Sequence, residues 1–161
     1  MPTRWVLLVA FPAAAAVAGC NGKDADPAAG PARVRIAGNV WRVELATDPD
    51  TRRRGLGGRA ELADDAGMLF AFPREEVLTF YMLDCLVPLD VAFISSDLEV
   101  VWIRTMPVEP DPANPVALYS SKFAARYALE APAGVFTRRG VKRGDRVELL
   151  GAARNAAKAA R

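Results

Sequence analysis

The stretch from Phe80 to Asp90, reading Phe-Tyr-Met-Leu-Asp-Cys-Leu-Val-Pro-Leu-Asp, gathers aromatic, thioether, thiol and carboxylate groups where an apolar run passes into a loop. On a strand, Phe80 and Met82 face one way and Tyr81 the other, so one face joins a core while the other can open on a cleft. Asp84 and Asp90 have the composition of a glycosidase acid and base, which must stand about 5–9 Å apart across the scissile bond. Capping of loop backbone amides is the simpler reading of both. Arg104, Arg126 and Tyr127 fall in strand-like segments. They could converge with Asp90 on a polar ligand, the guanidinium fork matching a carboxylate or phosphate, or serve internal ion pairs instead. Trp41, Tyr81 and Trp102 offer flat faces for a sugar, or simply for core packing. The candidate ligand-binding set is therefore Arg54, Tyr81, Met82, Asp84, Asp90, Arg104 and Tyr127, with no residue assigned as catalytic.

What is missing narrows the chemistry further. None of the 161 residues is a histidine, which removes Ser-His-Asp and Cys-His catalysis, His-based zinc sites and the HExxH motif together. The cysteines are Cys20 and Cys85. Cys85, with no imidazole to hold its thiolate, is expected to be a buried, inert thiol. A formal net charge of +2 makes no strong field, so no nucleic-acid partner is expected. No cofactor or metal is implied, and a non-enzymatic role is favoured over catalysis.

The first segment reads as an export signal. Arg4 precedes an apolar run of about 14 residues from Trp5 to Ala18, and Val17-Ala18-Gly19 leads directly into Cys20. The run is short of the roughly 20 residues that cross a bilayer, and its order is that of an n-region, h-region and small-residue cleavage site. Val-Ala-Gly-Cys resembles a bacterial lipobox, so Cys20 is the expected lipidation site and residues 1–19 the lipoprotein signal peptide. Acyl chains contribute about 0.8 kcal/mol per buried methylene, which anchors a small protein firmly when two or more are attached. Residues 20–32, rich in Ala, Pro, Gly and Asp, read as a flexible tether with a reach near 20 Å. The expected location is the cell envelope, facing the periplasm. Asn21 after the cysteine resembles the outer-membrane sorting pattern of enteric bacteria.

The elements that must position the candidate residues are mostly strands. Residues 40–46 have strand composition. Asp48 as N-cap, Pro49 at the first helical position and Gly55 at the end predict a short helix over 49–54, with Arg52, Arg53 and Arg54 in its last turn offsetting the dipole. The runs 68–72 and 78–82, separated by Pro73-Arg74-Glu75-Glu76, suggest a hairpin. Residues 90–94 and 99–104 about Ser95-Ser96-Asp97 form a clearer one. Four prolines between Met106 and Tyr119 predict an exposed loop. Segments 125–130 and 146–150 complete about seven strands, with a short helix or turn between Gly134 and Gly140. The fold class is mostly β, an antiparallel sandwich or barrel with one or two short helices, in a single domain over 33–151 followed by a disordered tail at 152–161.

Several ordered stretches resemble one family, the domain of unknown function 192. They are Arg54-Gly55-Leu56-Gly57-Gly58-Arg59, Asp65-Ala66-Gly67-Met68-Leu69-Phe70, Phe80-Tyr81-Met82 with Leu86-Val87-Pro88-Leu89-Asp90, Ile103-Arg104-Thr105-Met106-Pro107, Ala125-Arg126-Tyr127-Ala128-Leu129-Glu130 and Gly140-Val141-Lys142-Arg143-Gly144-Asp145. The resemblance implies a compact β-rich domain, often exported, with no established catalytic residues. Gly57 stands where that family generally has Met, and Asp84-Cys85 where it has Asn-Thr. The expected role is thus a membrane-tethered binding or accessory module for an envelope glycan or protein, with a carboxylate-dependent glycan hydrolase as the alternative.

Overall fold

The computed structural model describes residues 30–160; the signal peptide, Cys20 and most of the tether fall outside them. Seven strands form one mixed, mostly antiparallel sheet. They are β1 (Arg33–Ile36), β2 (Asn39–Ala46), β3 (Ala66–Phe80), β4 (Leu89–Ile94), β5 (Val100–Met106), β6 (Tyr119–Pro132) and β7 (Val147–Leu150), in the order β5-β4-β6-β3-β2-β1-β7. The helices are α1 (Pro49–Arg54), α2 (Val135–Arg138) and α3 (Ala156–Ala159), the last preceded by a 3-10 turn at Gly151–Asn155.

Local chemistry explains the elements that match expectation. β1 and β2 pair with Ile36 opposite Asn39, so the hairpin has a two-residue turn, and both turn residues are left-handed: Ala37 at φ 48° and Gly38 at φ 78°. That is the turn whose twist suits a hairpin. At α1, Asp48 Oδ1 accepts from the amides of Asp50 and Thr51 at 3.1 and 3.0 Å, and the Asp48 amide donates to Thr51 Oγ1 at 3.4 Å. This reciprocal cap satisfies donors that a six-residue helix cannot satisfy itself.

Other elements differ from the sequence reading. Residues 66–80 are one strand rather than two, and its partner is β6. The register shifts between Ala71 and Glu76, and Pro73 lies inside that irregularity. A residue lacking an N–H is accommodated where the ladder is already interrupted. A second shift follows Val77, where the Leu78 amide donates to the buried Ser121 Oγ at 3.0 Å in place of a backbone carbonyl. The strand count is kept by β1, at the very start of the domain, where sequence reasoning assigned no strand. Neither is the last segment without structure. Ala153 and Ala156 are fully buried, and the Ala152 amide donates to Gly30 O at 3.1 Å. Small side chains let these turns seat against the barrel end, although their composition alone signals nothing.

The sheet curls until its two edges meet at one end. Glu99 and Arg146 form a bridge, the Val100 amide donates to Asp145 O at 3.0 Å and the Val147 amide to Leu98 O at 2.8 Å. Partial closure removes strand edge that would otherwise be open to other chains. The enclosed face draws apolar residues from all seven strands, among them Val34, Trp41, Leu69, Ile94, Leu129 and Leu149. Phe136 of α2 plugs it, edge-on to Trp41 at 5.4 Å. The opposite face carries a second apolar layer, in which Phe80 stands edge-on to Phe70 at 5.0 Å and to Phe93 at 5.4 Å. Gly67 sits where β3 meets β6, and a β carbon there would lie 2.3 Å from Glu130 O.

Two outcomes follow. Gly67→Ala should force the central strands apart and cost about 2–3 kcal/mol, read as a large fall in thermal midpoint. Ala37→Asn relieves a left-handed alanine and should raise the midpoint by about 2–4 °C; an unchanged or lower midpoint refutes the turn assignment.

Candidate functional site

On the outer apolar layer a cleft of about 290 Å³ opens between the C-terminal end of α1 and the β3 strand with the loop after it. Its position follows from local chemistry. The capped helix ends at Gly55, and Arg52 ties it down, donating Nη1 to Ala71 O at 3.0 Å while its guanidinium lies 5.0 Å from the centre of the Phe72 ring. Phe70, Phe72 and Phe80 supply apolar walls, and Leu83 and Cys85 of the loop close one side. Met82 is fully buried, so it holds that loop down.

At the floor stands Glu130. Its β6 position is opposite Met68 on one side and Val91 on the other, which directs it to the same face as Phe70. The residue is 4% exposed and lines the cleft, and a β carbon on Gly55 would lie 3.8 Å from its Oε2. No hydrogen bond or ion pair reaches its carboxyl among the described residues. Desolvation pushes the group up to about 8, so at neutral pH it is mainly a protonated acid with an O–H to donate. Among the lining residues the other ionisable side chains are Arg52, Arg53, Arg54, Tyr81 and Cys85. Burial, together with the nearby Glu130 and Asp84, pushes the Cys85 thiol up to about 12. That thiol donates to Leu83 O at 3.5 Å; it is buried, and at this pKa it is no nucleophile.

The residues proposed from sequence scatter over the molecule. Arg54 and the half-exposed Tyr81 line this cleft. Asp84, left-handed at φ 54°, lies in the loop beside it, next to Gly57, with its amide donating to Pro112 O at 2.7 Å. A β carbon on Gly57 would come within 3.0 Å of Leu83 O and 3.3 Å of Asp84 Cβ, so the two departures from the family pattern lie against each other. Asp90 is buried on the enclosed side, accepting from Thr105 Oγ1 at 2.7 Å and from the Phe136 amide at 3.4 Å. It caps the start of α2, and a strand layer separates it from Asp84. Tyr127 is also on the enclosed side, beside Ser96 and Leu98, while the exposed Arg104 projects from β5 on the other. The arrangement therefore brings together Arg54 and Tyr81 with Glu130, and leaves Arg104, Asp90 and Tyr127 apart. Glu130 was missed because an acidic residue at a strand end reads as solvated; the signal available was its place in the apolar run Tyr127-Ala128-Leu129-Glu130-Ala131. No group of three or more Cys, Asp or Glu among the described residues could hold a metal ion.

A family model described as an uncharacterized ACR, domain of unknown function 192, matches residues 32–149. The chain belongs to the DUF192 family. A UPF0127 protein of Thermococcus gammatolerans is 30% identical over 112 residues, 67% of each chain. Two solved structures share the DUF192 fold. One, from Sinorhizobium meliloti and described as a candidate transcription regulator, has a TM-score of 0.67 at 35% identity, covering 78% of this chain and 98% of that one. The other, a protein of unknown function from Novosphingobium aromaticivorans, has a TM-score of 0.63 at 30% identity, covering 78% and 94%. The matched residues of this DUF192 domain include every wall of the cleft and its floor.

The sign of the Glu130 effect on stability is defined. Its folded pKa, about 8, lies above the ordinary value of 4.5, so folding takes up a proton between those limits and stability falls as pH rises through them. Glu130→Gln removes this linkage. Against that variant, the wild type should lose stability by up to about 1.4 kcal/mol per pH unit between pH 5 and 8, measured by denaturant titration. Parallel curves for the two proteins would show the carboxyl to be solvated.

Proposed function

We propose that this protein is a lipid-tethered, non-enzymatic binding module of the cell envelope, and that its ligand enters the cleft beneath α1. The observation that carries the reading is the Glu130 carboxyl, buried without a partner on the floor of an open apolar cleft. Burying such a group costs about 1–3 kcal/mol unless a hydrogen bond offsets it, and a ligand supplies the missing partner. At about 290 Å³ the cleft is at the small end of the roughly 300–1,000 Å³ range of ligand sites. That favours a single ring or short chain over a glycan, which needs many donors and acceptors.

Several features support binding over catalysis. Asp84 and Asp90 stand on opposite sides of the sheet, an arrangement unsuited to acid and base acting on one glycosidic bond. The Cys85 thiol, pushed up to about 12, does not supply a nucleophile. The regulator description of the Sinorhizobium neighbour suggests a nucleic-acid role for this chain, but a net charge of +2 is weak support for it. The tether rests on the lipobox at Cys20, which would hold the start of the domain at a mean distance of about 20 Å from a membrane surface.

Neutral aromatic probes test the cleft. Indole and p-cresol, added to the full-length chain at millimolar concentration, should shift the amide resonances of Thr79, Phe80 and Leu83. Thr79→Trp, which fills the mouth from an exposed position, should abolish those shifts. Absence of any shift in the wild type ends the binding reading. For the tether, intact mass of the membrane fraction should show diacylglycerol and a further acyl chain on Cys20, and Cys20→Ser should release soluble protein.

A further inference from the structure

The charge and polarity around the cleft say more about what it would hold. Its two ends differ. At the mouth, Arg53 and Arg54 are exposed, line the cleft or its rim, and form no ion pair among the described residues. No lysine, aspartate or second glutamate is among the lining residues. At the floor, Glu130 is surrounded by Phe70, Met68 and Val91 and has no partner. Between the ends lie the Phe70 and Phe80 rings, already edge-on to one another, which suit a third ring in an edge or offset contact.

We propose that the cleft takes a small hydroxyaryl carboxylate, with its ring against Phe70 and Phe80, its carboxylate at Arg53 and Arg54, and its hydroxyl hydrogen-bonded to Glu130. This assignment rests on the binding role given to the same cleft. Each part of the ligand answers one feature. Guanidinium groups select an anion by charge-assisted hydrogen bonds and repel an amine. The aromatic wall selects a flat apolar body. Glu130, as a protonated acid, can both donate to and accept from a phenolic hydroxyl. An ammonium group at the floor would have to ionise Glu130 within an apolar layer and pass two arginines on entry, both unfavourable.

Four related probes measured by calorimetry on the full-length chain separate these contributions: 3-(4-hydroxyphenyl)propanoate, 3-phenylpropanoate, 3-(4-hydroxyphenyl)propanamide and tyramine. The hydroxylated carboxylate should bind tightest. Loss of the hydroxyl should weaken binding about tenfold or more, because the buried acid is again left unpaired. Replacing the carboxylate by the amide should weaken it several-fold, and tyramine should not bind. In Glu130→Leu the preference for the hydroxylated ring should vanish while the preference for the carboxylate persists. In the doubly substituted R53Q and R54Q protein the reverse should hold. Both substitutions at the mouth are exposed, so they leave folding intact, and a thermal melt checks Glu130→Leu. If indole binds the cleft but the four probes bind alike, this ligand assignment is overturned and the cleft remains a binding site. If neither indole nor any of the four probes binds, both readings fall together.

Discussion

The long antiparallel ladder between β3 and β6 is the constraint on which the molecule depends. Those two strands lie at the centre of the order β5-β4-β6-β3-β2-β1-β7, so each half of the curled sheet hangs from one of them. The ladder tolerates no side chain where Gly67 passes Glu130 O. Because the strands are pleated, this one pairing also divides their residues between two apolar layers. Leu69, Tyr127 and Leu129 go to the enclosed barrel, while Met68, Phe70 and Ala128 go to the outer face.

The cleft is a consequence of having that second layer. A single curled sheet fills its own interior, and the outer face must be covered by whatever the connections provide. Here the cover is thin: a six-residue helix with no buried residue of its own, held by its caps and Arg52, and a loop pinned by Met82. Such a cover leaves space above Phe70 and Glu130. The local interactions that shape it are therefore capping hydrogen bonds and one cation over an aromatic ring, rather than close core packing.

Glu130 breaks the rule that buried polar groups are paired. The two other buried polar residues obey it: Asp90 accepts from Thr105 and the Phe136 amide, and Ser121 bridges the Leu78 amide and Phe123 O. The indole nitrogens of Trp41 and Trp102 also lack an acceptor, but of the buried carboxyl groups and the Ser121 hydroxyl, Glu130 alone among the described residues is left without a partner. A departure at the one carboxyl that faces an open space is where function is expected to show, since folds tend to violate their own rules at sites.

Much of the local architecture was readable from the chain alone. Asp48, Pro49 and Gly55 bounded α1, and Ser95-Ser96-Asp97 marked the hairpin of β4 and β5, because caps and turns depend on residues near in sequence. Cys85 could be expected to be buried from the lack of any chemistry around it. Tertiary contacts decided the rest. Pro73 looked like a turn until pairing with β6 carried the strand through it, and Ala153 and Ala156 acquired a role only against the barrel end. Asp84 and Asp90, six positions apart, were parted by a sheet, whereas Arg54 and Glu130 were joined over a long separation. Short-range hydrogen bonding is written into neighbouring residues. Which side of a strand faces a cleft depends on register between distant segments, and no local pattern carries that information.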